Sequence, residues 1–285
     1  MLDLDPARDG PTPIDAATLV LVRDGASGLE LFCVERNRQS RFLGGAIVFP
    51  GGRVEESDRH DSWADVVNDT SGALRVFAIA ACRETLEEAA LLVVDGSASD
   101  EDVVALRTKS TVHGSAAGGT SHAKFDDGAL RSFLRERHLQ LDLRSLVPLA
   151  RWITPKVESR RFDARFFVAR APQGQRGAHD MSETMASFWE SPTVILARFD
   201  RSEIQLAPPT HRTLMQLAPC ATVAEVMTLA RSASLEPICP ELVPQGDTMA
   251  LTLPGDPEHS VRATRVAGPS RYVLRGSHWR AENAP

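Results

Sequence analysis

The chain is poor in the residues that build disulfide scaffolds and zinc centres. Its 285 residues include four cysteines, Cys33, Cys82, Cys220 and Cys239, with no C-x-x-C pair. This scatter argues against a cross-linked fold and predicts free, buried thiols in a reducing compartment. Eight histidines are dispersed without H-E-x-x-H or another ligand spacing, so His179 and His211 are expected at the surface rather than on a metal. Gly44-Gly45 and Gly51-Gly52 are not followed by G-K-[ST], which excludes a P-loop. No apolar run approaches the roughly 20 residues that span a bilayer, and MLDLDPARDG lacks the charged-then-apolar layout of a signal peptide. Basic residues do not predominate either: 32 Lys and Arg face 38 Asp and Glu, for a net charge of −6. A general nucleic-acid binder is therefore not expected. The 42% hydrophobic and 25% charged content is that of a globular protein with a sizeable core.

What the chain does have is an acidic, amphipathic stretch at residues 78–92, AIAACRETLEEAALL. Wound at about 100° per residue, Glu84, Glu87 and Glu88 fall within one arc of about 100°. Ile79, Cys82, Leu86, Ala89 and Val93 form the opposite, apolar stripe, suited to lying on a sheet. Arg83 precedes Glu87 by four residues and can hold it by an ion pair along the helix. Three carboxylates on one face repel each other unless a cation lies between them, and a hard divalent ion with oxygen ligands is the natural candidate. The plain alternative is a solvated acidic face.

The order of these residues resembles the signature box of the Nudix hydrolases, G-x5-E-x7-R-E-U-x-E-E-x-G-U, with U a bulky aliphatic residue. Arg83, Glu84, Glu87 and Glu88 match its R-E-x-x-E-E core, Leu91 its closing aliphatic, and Gly52 of Phe49-Pro50-Gly51-Gly52 its opening glycine. Asp58 stands in place of the first Glu, Thr85 in place of an aliphatic, and Ala90 in place of the last glycine. The gap from Asp58 to Arg83 is 17 residues longer than the box allows, an insertion that a loop tolerates because closure entropy grows logarithmically with length. The resemblance implies hydrolysis of a P–O–P bond in a nucleoside diphosphate derivative with Mg²⁺ or Mn²⁺. Glu84, Glu87, Glu88 and the carbonyl of Gly52 are then the expected metal ligands. Glu183, in HDMSETMASFWESP, matches the region that supplies an acidic residue opposite the box, and is a candidate general base, as is Glu84, which could instead orient a neighbour.

A second constellation narrows the substrate. Arg36, Arg41, Gly45 and the FPGG keep the spacing R-x4-R-x3-G-x3-F-P-G-G, similar to the motif upstream of the box in coenzyme A diphosphatases of the Nudix superfamily. Guanidinium groups bind phosphate bidentately, so two arginines before a glycine turn suit a substrate with several phosphates. Arg36, Arg41, Gly45, Phe49, Gly51 and Gly52 are the expected substrate-binding residues. Trp152-Ile153-Thr154-Pro155 and Arg161-Phe162-Asp163-Ala164-Arg165-Phe166-Phe167 also resemble that subfamily, which carries an insertion inside its box. Coenzyme A or its acyl esters, cleaved to 3′,5′-ADP and (acyl-)phosphopantetheine, is the leading expectation. NADH, ADP-ribose or another nucleoside diphosphate is the alternative enzymatic substrate. A nucleotide-sensing module without turnover is the third reading. The final residues, Glu282-Asn283-Ala284-Pro285, carry no peroxisomal tripeptide, and a cytoplasmic location is expected.

Periodicity predicts strands at 17–23 and 29–35 joined as a hairpin, and further strands at 46–49, 146–153, 162–169 and 185–189. Helices are expected at 128–138, 192–199, 210–217 and 223–231, the second of these opening on Ser191-Pro192, with Ser as N-cap and Pro at the first position. Residues 55–72 read as the inserted loop with a short helix near 63–67, and 114–121 as a flexible connection. The fold class is α/β, a mixed sheet in an α/β/α sandwich as the resemblance implies, with a small β-rich C-terminal extension. The expected organisation is a loose leader at 1–14, a Nudix domain at 15–215 and an extension of unassigned role at 216–285. The expected partner is a small-molecule nucleotide, with no nucleic acid and no membrane, and a homodimer left open.

Overall fold

A computed structural model describes residues 3–37, 45–68, 72–112, 124–180, 184–276 and 278–285. Two long strands organise it: β1 (Ile14–Gly25) and β2 (Gly28–Arg36) form the expected hairpin, with Gly25 opposite Gly28. β1 is buried on both faces. Ala17, Leu19 and Leu21 enter one core and Val20 and Val22 the other, so the strand reads as a continuous apolar run rather than an alternating one. β3 (Ala46–Val48) pairs with β2, and the chain then turns through Phe49-Pro50 into β4 (Gly51–Arg53), antiparallel to β1.

The helix predicted at 78–92 is α1 (Arg75–Ala89). α2 (Asp100–Ser110) and α3 (Asp127–Glu136) follow on the same side. β5 (Val147–Ile153) and β6 (Phe162–Arg170) pair antiparallel, and β6 runs parallel to β1. β7 (Thr184–Glu190) pairs with the outer edge of β2. α4 (Pro192–Asp200) is capped by the Ser191 side chain, which accepts from the Val194 N–H. After β8 (Gln205–Leu206) come α5 (Pro208–Leu217) and α6 (Val223–Arg231), then β9 (Pro237–Ile238). Among the described residues the main sheet has nine strands, with the path β8-β3-β2-β1-β6-β5-β9.

The sheet separates two cores. Ile79, Cys82, Leu86 and Ala89 of α1 meet Ala17, Leu19, Phe32 and Val34 in the first. Ile195, Leu214, Val223 and Val226 of α4 to α6 meet Leu31, Ile47 and Leu149 in the second. At about 1.5–3 kcal/mol for each large aliphatic removed from water, these two faces set the layer order, an α/β/α sandwich with a mixed sheet. The C-terminal strands β10 (Glu241–Gln245), β11 (Thr248–Thr252), β12 (Arg271–Arg275) and β13 (His278–Glu282) form a separate antiparallel sheet.

Two local expectations are corrected, the short helix near 63–67 and a surface His211. Residues 63–67 are not helical. The insertion is built from 3₁₀ turns at Glu56–Arg59, Asp61–Trp63 and Gly72–Leu74. Trp63 is fully buried, donates its indole N–H to the Ser57 carbonyl at 2.9 Å, and enters the first core with Val66 and Val67. The insertion is thus part of the core. His211 is buried at 5% exposure, not at the surface; its Nδ1 lies 3.0 Å from the Tyr272 hydroxyl. Residues 223–238 supply α6 and an edge strand to the main body, and Leu251, Leu253 and Tyr272 share the second core. Residues 4–11 bond to the 156–161 segment through Asp5 N–H to Val157 O, Gly10 N–H to Lys156 O and Arg161 to Pro11 O. The connection at 114–121 lies outside the described residues. No helix among the described residues is long and apolar enough to cross a membrane.

Candidate active site

The box residues meet where α1 crosses β4. The Pro50 carbonyl accepts from the Leu19 N–H at 2.9 Å, and the Gly51 and Gly52 backbones lie against Thr18 and Ala17 of β1. A methyl group at Gly51 would strike the Ala17 carbonyl, and one at Gly52 would strike the Glu84 carboxylate. Gly51 thus lets β4 lie close on β1, and Gly52 lets Glu84 of α1 reach the turn. Glu88 is buried, and its Oε2 accepts from the Gly51 N–H at 3.0 Å. Glu84 is mostly buried beside Gly52, and Glu87 is 31% exposed at the rim.

Arg83 ties this side of the helix together. Its Nε and Nη2 donate to Asp58 Oδ1 and Oδ2 at 2.8 and 2.9 Å, its Nη1 to Glu84 Oε1 at 2.9 Å, and its Nη2 also to the Arg53 carbonyl at 2.9 Å. The expected pair with Glu87 exists but is looser, at 3.6 Å. Burial opposes the charge on Arg83, but the Asp58 hydrogen bonds and the Glu84 charge outweigh it and hold the guanidinium pKa above its ordinary value. Asp58, not among the residues expected in the site, completes it. At 1% exposure it clamps Arg83 bidentately and accepts from the Glu55 N–H at 2.8 Å, so the shorter side chain reaches its partner because the 3₁₀ turn carries it inward. The signal was in the sequence, at the box position of the first Glu.

The last glycine position of the box is a second departure that the fold absorbs. Ala90 caps α1 in the left-handed region, φ 48° and ψ 44°, and is fully buried. That conformation costs an L-residue about 1–2 kcal/mol, so the turn is kept although its glycine is gone.

The upstream motif is divided by the sheet. Arg36 shares the α1 face of β2 with Phe32 and Val34 and lies opposite Thr184 of β7. Its Nε is buried with no hydrogen-bond partner among the described residues, which marks a donor awaiting an acceptor. Gly45 sits at φ 76° with its N–H on the Arg36 carbonyl. Phe49 does not join the site: it is 3% exposed and packs in the second core, on the far face. Arg41 and Glu183 lie outside the described residues. Just beyond Glu183, Thr184 donates its N–H and Oγ1 to Asp180 Oδ1 at 2.8 and 2.7 Å.

Among the described residues no three His, Cys, Asp or Glu side chains converge as a ready metal cluster; Arg83 and the Gly51 N–H engage the carboxylates instead. The donor set nevertheless fits a hard divalent cation. All its atoms are oxygens, the carboxylates reach one glycine turn, and the bare Gly52 lets the Glu84 carboxylate lie where a side chain would otherwise stand.

The comparisons agree with this geometry. The family model described as the NUDT19 Nudix domain matches residues 72–217. Proteins named acyl-coenzyme A diphosphatase NUDT19 are similar: that of Homo sapiens is 26% identical over 283 residues, covering 81% of this chain and 72% of the relative. The protein of that name from Xenopus laevis is 24% identical over 274 residues, covering 82% and 72%. A crystal structure of a Nudix hydrolase from Alicyclobacillus acidocaldarius superposes with a TM-score of 0.62 at 30% identity, over 76% of this chain and 96% of that one. The clamp of Asp58 on Arg83, the acidic helix over the glycine turn and these matches lead to one conclusion: the chain belongs to the Nudix hydrolase family.

Proposed function

We propose that this chain is a metal-dependent diphosphatase acting on coenzyme A or its acyl esters, releasing 3′,5′-ADP and (acyl-)phosphopantetheine. The observation that carries the chemistry is the gathering of Glu84 and Glu88 on the Gly51-Gly52 turn, with Glu87 at its rim. The substrate class is supported by the names of the relatives and by the Arg36, Arg41 and Gly45 spacing.

In this reading Glu84, Glu87, Glu88 and the Gly52 carbonyl hold Mg²⁺ or Mn²⁺, which when bound neutralises bridged phosphates and orients a water for in-line attack. Arg83, fixed by Asp58, keeps the Glu84 carboxylate beside Gly52 and restrains Glu87. Arg36 offers its unpartnered Nε–H to a phosphate oxygen, and Arg41 adds a second cation. Glu183 takes the proton of the attacking water as the bridging P–O bond breaks. A cytoplasmic site of action belongs to the same reading, in keeping with four unpaired cysteines.

The test is product analysis. Coenzyme A, acetyl-coenzyme A, NADH and ADP-ribose are each incubated with the purified protein and Mg²⁺ or Mn²⁺. Release of 3′,5′-ADP from the coenzyme A compounds at the highest kcat/KM is the expected result. Preferred turnover of NADH or ADP-ribose would reject the substrate, and binding without turnover would reject the enzyme.

A further inference from the structure

The left-handed Ala90 needs something outside the helix to hold it, because the residue itself disfavours the turn. The segment preceding β7 does so. The Ala178 N–H donates to the Ala89 carbonyl at 2.7 Å, and Gln175, at 6% exposure, spans the residues that follow. Its Oε1 accepts from the Leu92 N–H at 2.8 Å, and its Nε2 donates to the Leu92 and Ala98 carbonyls at 3.2 and 3.1 Å. Both donors and one of the two acceptor sites of this buried amide are spent on backbone between Leu92 and Ala98. Between them Gly177, at φ 79°, brings the backbone against the Phe32 ring and Leu91.

The segment is itself anchored. Arg107 donates to the Ala178 carbonyl, Arg176 bonds to Asp100 through its N–H and side chain, and the Trp189 indole N–H donates to the Arg176 carbonyl at 2.9 Å. Glu88 lies two residues before Ala90, and the Ala90 N–H closes the last turn on Leu86. If Ala90 relaxed to the right-handed region, α1 would run on past Ala89 and draw Leu91, Leu92 and Val93 out of the first core, loosening the last turn, which carries Glu87 and Glu88.

We propose that Gln175, with the 175–178 backbone, is a latch that imposes the left-handed turn on Ala90 and so sets the register at which Glu84, Glu87 and Glu88 face Gly51-Gly52. Gln175 is a positioning residue. This rests on the carboxylates being the hydrolytic site, as proposed above. The latch does at a distance what a glycine at position 90 would do locally.

A double-mutant cycle tests it, with Gln175→Leu made in the wild-type chain and in the Ala90→Gly background. The readouts are Mn²⁺ affinity by electron paramagnetic resonance, thermal midpoint, and kcat and KM for coenzyme A. In the wild-type background Gln175→Leu is expected to weaken Mn²⁺ binding and lower kcat on the order of tenfold or more, with KM nearly unchanged. With Ala90→Gly the same replacement is expected to cost no more than about twofold in either, because glycine takes the turn unaided. The fall in thermal midpoint should shrink in parallel. Equal losses in both backgrounds would overturn the latch, as would a lowered midpoint with Mn²⁺ affinity unchanged. If Gln175→Leu folds only with Ala90→Gly, the proposal is supported; if it folds in neither, it is overturned. Gln175→Glu, which keeps the acceptor for Leu92 but loses both donors, should give an intermediate loss that Ala90→Gly also relieves. Should the wild type not turn over coenzyme A, the substrate assignment fails while the midpoint and Mn²⁺ cycles still decide the latch.

Discussion

Replacing Asp58 with Ala removes one half of an ion pair that water scarcely reaches: the Asp58 side chain is 0% and the Arg83 side chain 5% exposed. The guanidinium then keeps its charge and its burial but loses two of its hydrogen bonds, at 2.8 and 2.9 Å. Breaking a buried pair from one side costs about 3–5 kcal/mol. Glu84 Oε1 remains at 2.9 Å, which places the expected cost near the lower end, about 3 kcal/mol. At roughly 2–4 °C per kcal/mol for a domain of this size, thermal unfolding should drop by about 6–12 °C. Loss of the charge on Asp58 also leaves Arg83 free to draw Glu84 and Glu87 inward, so activity should fall in the folded fraction. Arg83→Met in the Asp58→Ala background removes the stranded cation, and the double variant should be less destabilised than the sum of the singles by about 1–3 kcal/mol. Urea unfolding of the four proteins measures the cycle. Strict additivity, or a single-variant cost below about 1 kcal/mol, would show that Arg83 is not held as described.

Gly52→Ala places a methyl against the Glu84 carboxylate, the far end of a flexible side chain; kcat should fall at least about tenfold with little change in thermal midpoint, and an unaffected kcat would separate Glu84 from the chemistry. Glu87→Gln keeps the shape of a half-buried side chain and removes its charge; a loss of kcat on the order of a hundredfold or more is expected from steady-state assays, and unchanged activity would count against the carboxylate assignment. His211 has its pKa lowered to about 4, first by burial and then by the Arg212 and Arg280 charges. A histidine whose folded pKa lies below its unfolded value near 6.5 stabilises the fold above that value and loses this contribution as pH falls toward 4. Between pH 7 and pH 4.5 the wild type should therefore lose about 2–3 kcal/mol more than His211→Gln, and parallel urea-midpoint profiles for the two proteins would refute the assignment.

Short-range chemistry was legible along the chain. The alternation and apolar runs of 17–23 and 29–35 became β1 and β2, Ser191-Pro192 capped α4 as expected, and the R-E-x-x-E-E order placed three carboxylates on one side of α1. These depend on neighbours a few residues apart, whose geometry the backbone repeat dictates. Phe49 was misplaced because the motif showed its position but not the face of the sheet it would occupy; one step along a strand decides between the two cores. His211 was misplaced because an isolated polar residue carries no sign of the Tyr272 hydroxyl that receives it 61 residues later.

Composition and local pattern by themselves determined the α/β class, the acidic helix and the glycine turn that faces it. Tertiary structure alone decided how the departures from the box are accommodated. Asp58 meets Arg83 across 25 residues because the insertion folds into 3₁₀ turns around Trp63, and Ala90 holds a glycine's conformation beneath a segment 85 residues further on. Helix and strand periods are written into successive residues. Pairings between distant ones exist only once burial has brought both partners into the same small volume and made each unsatisfied group costly.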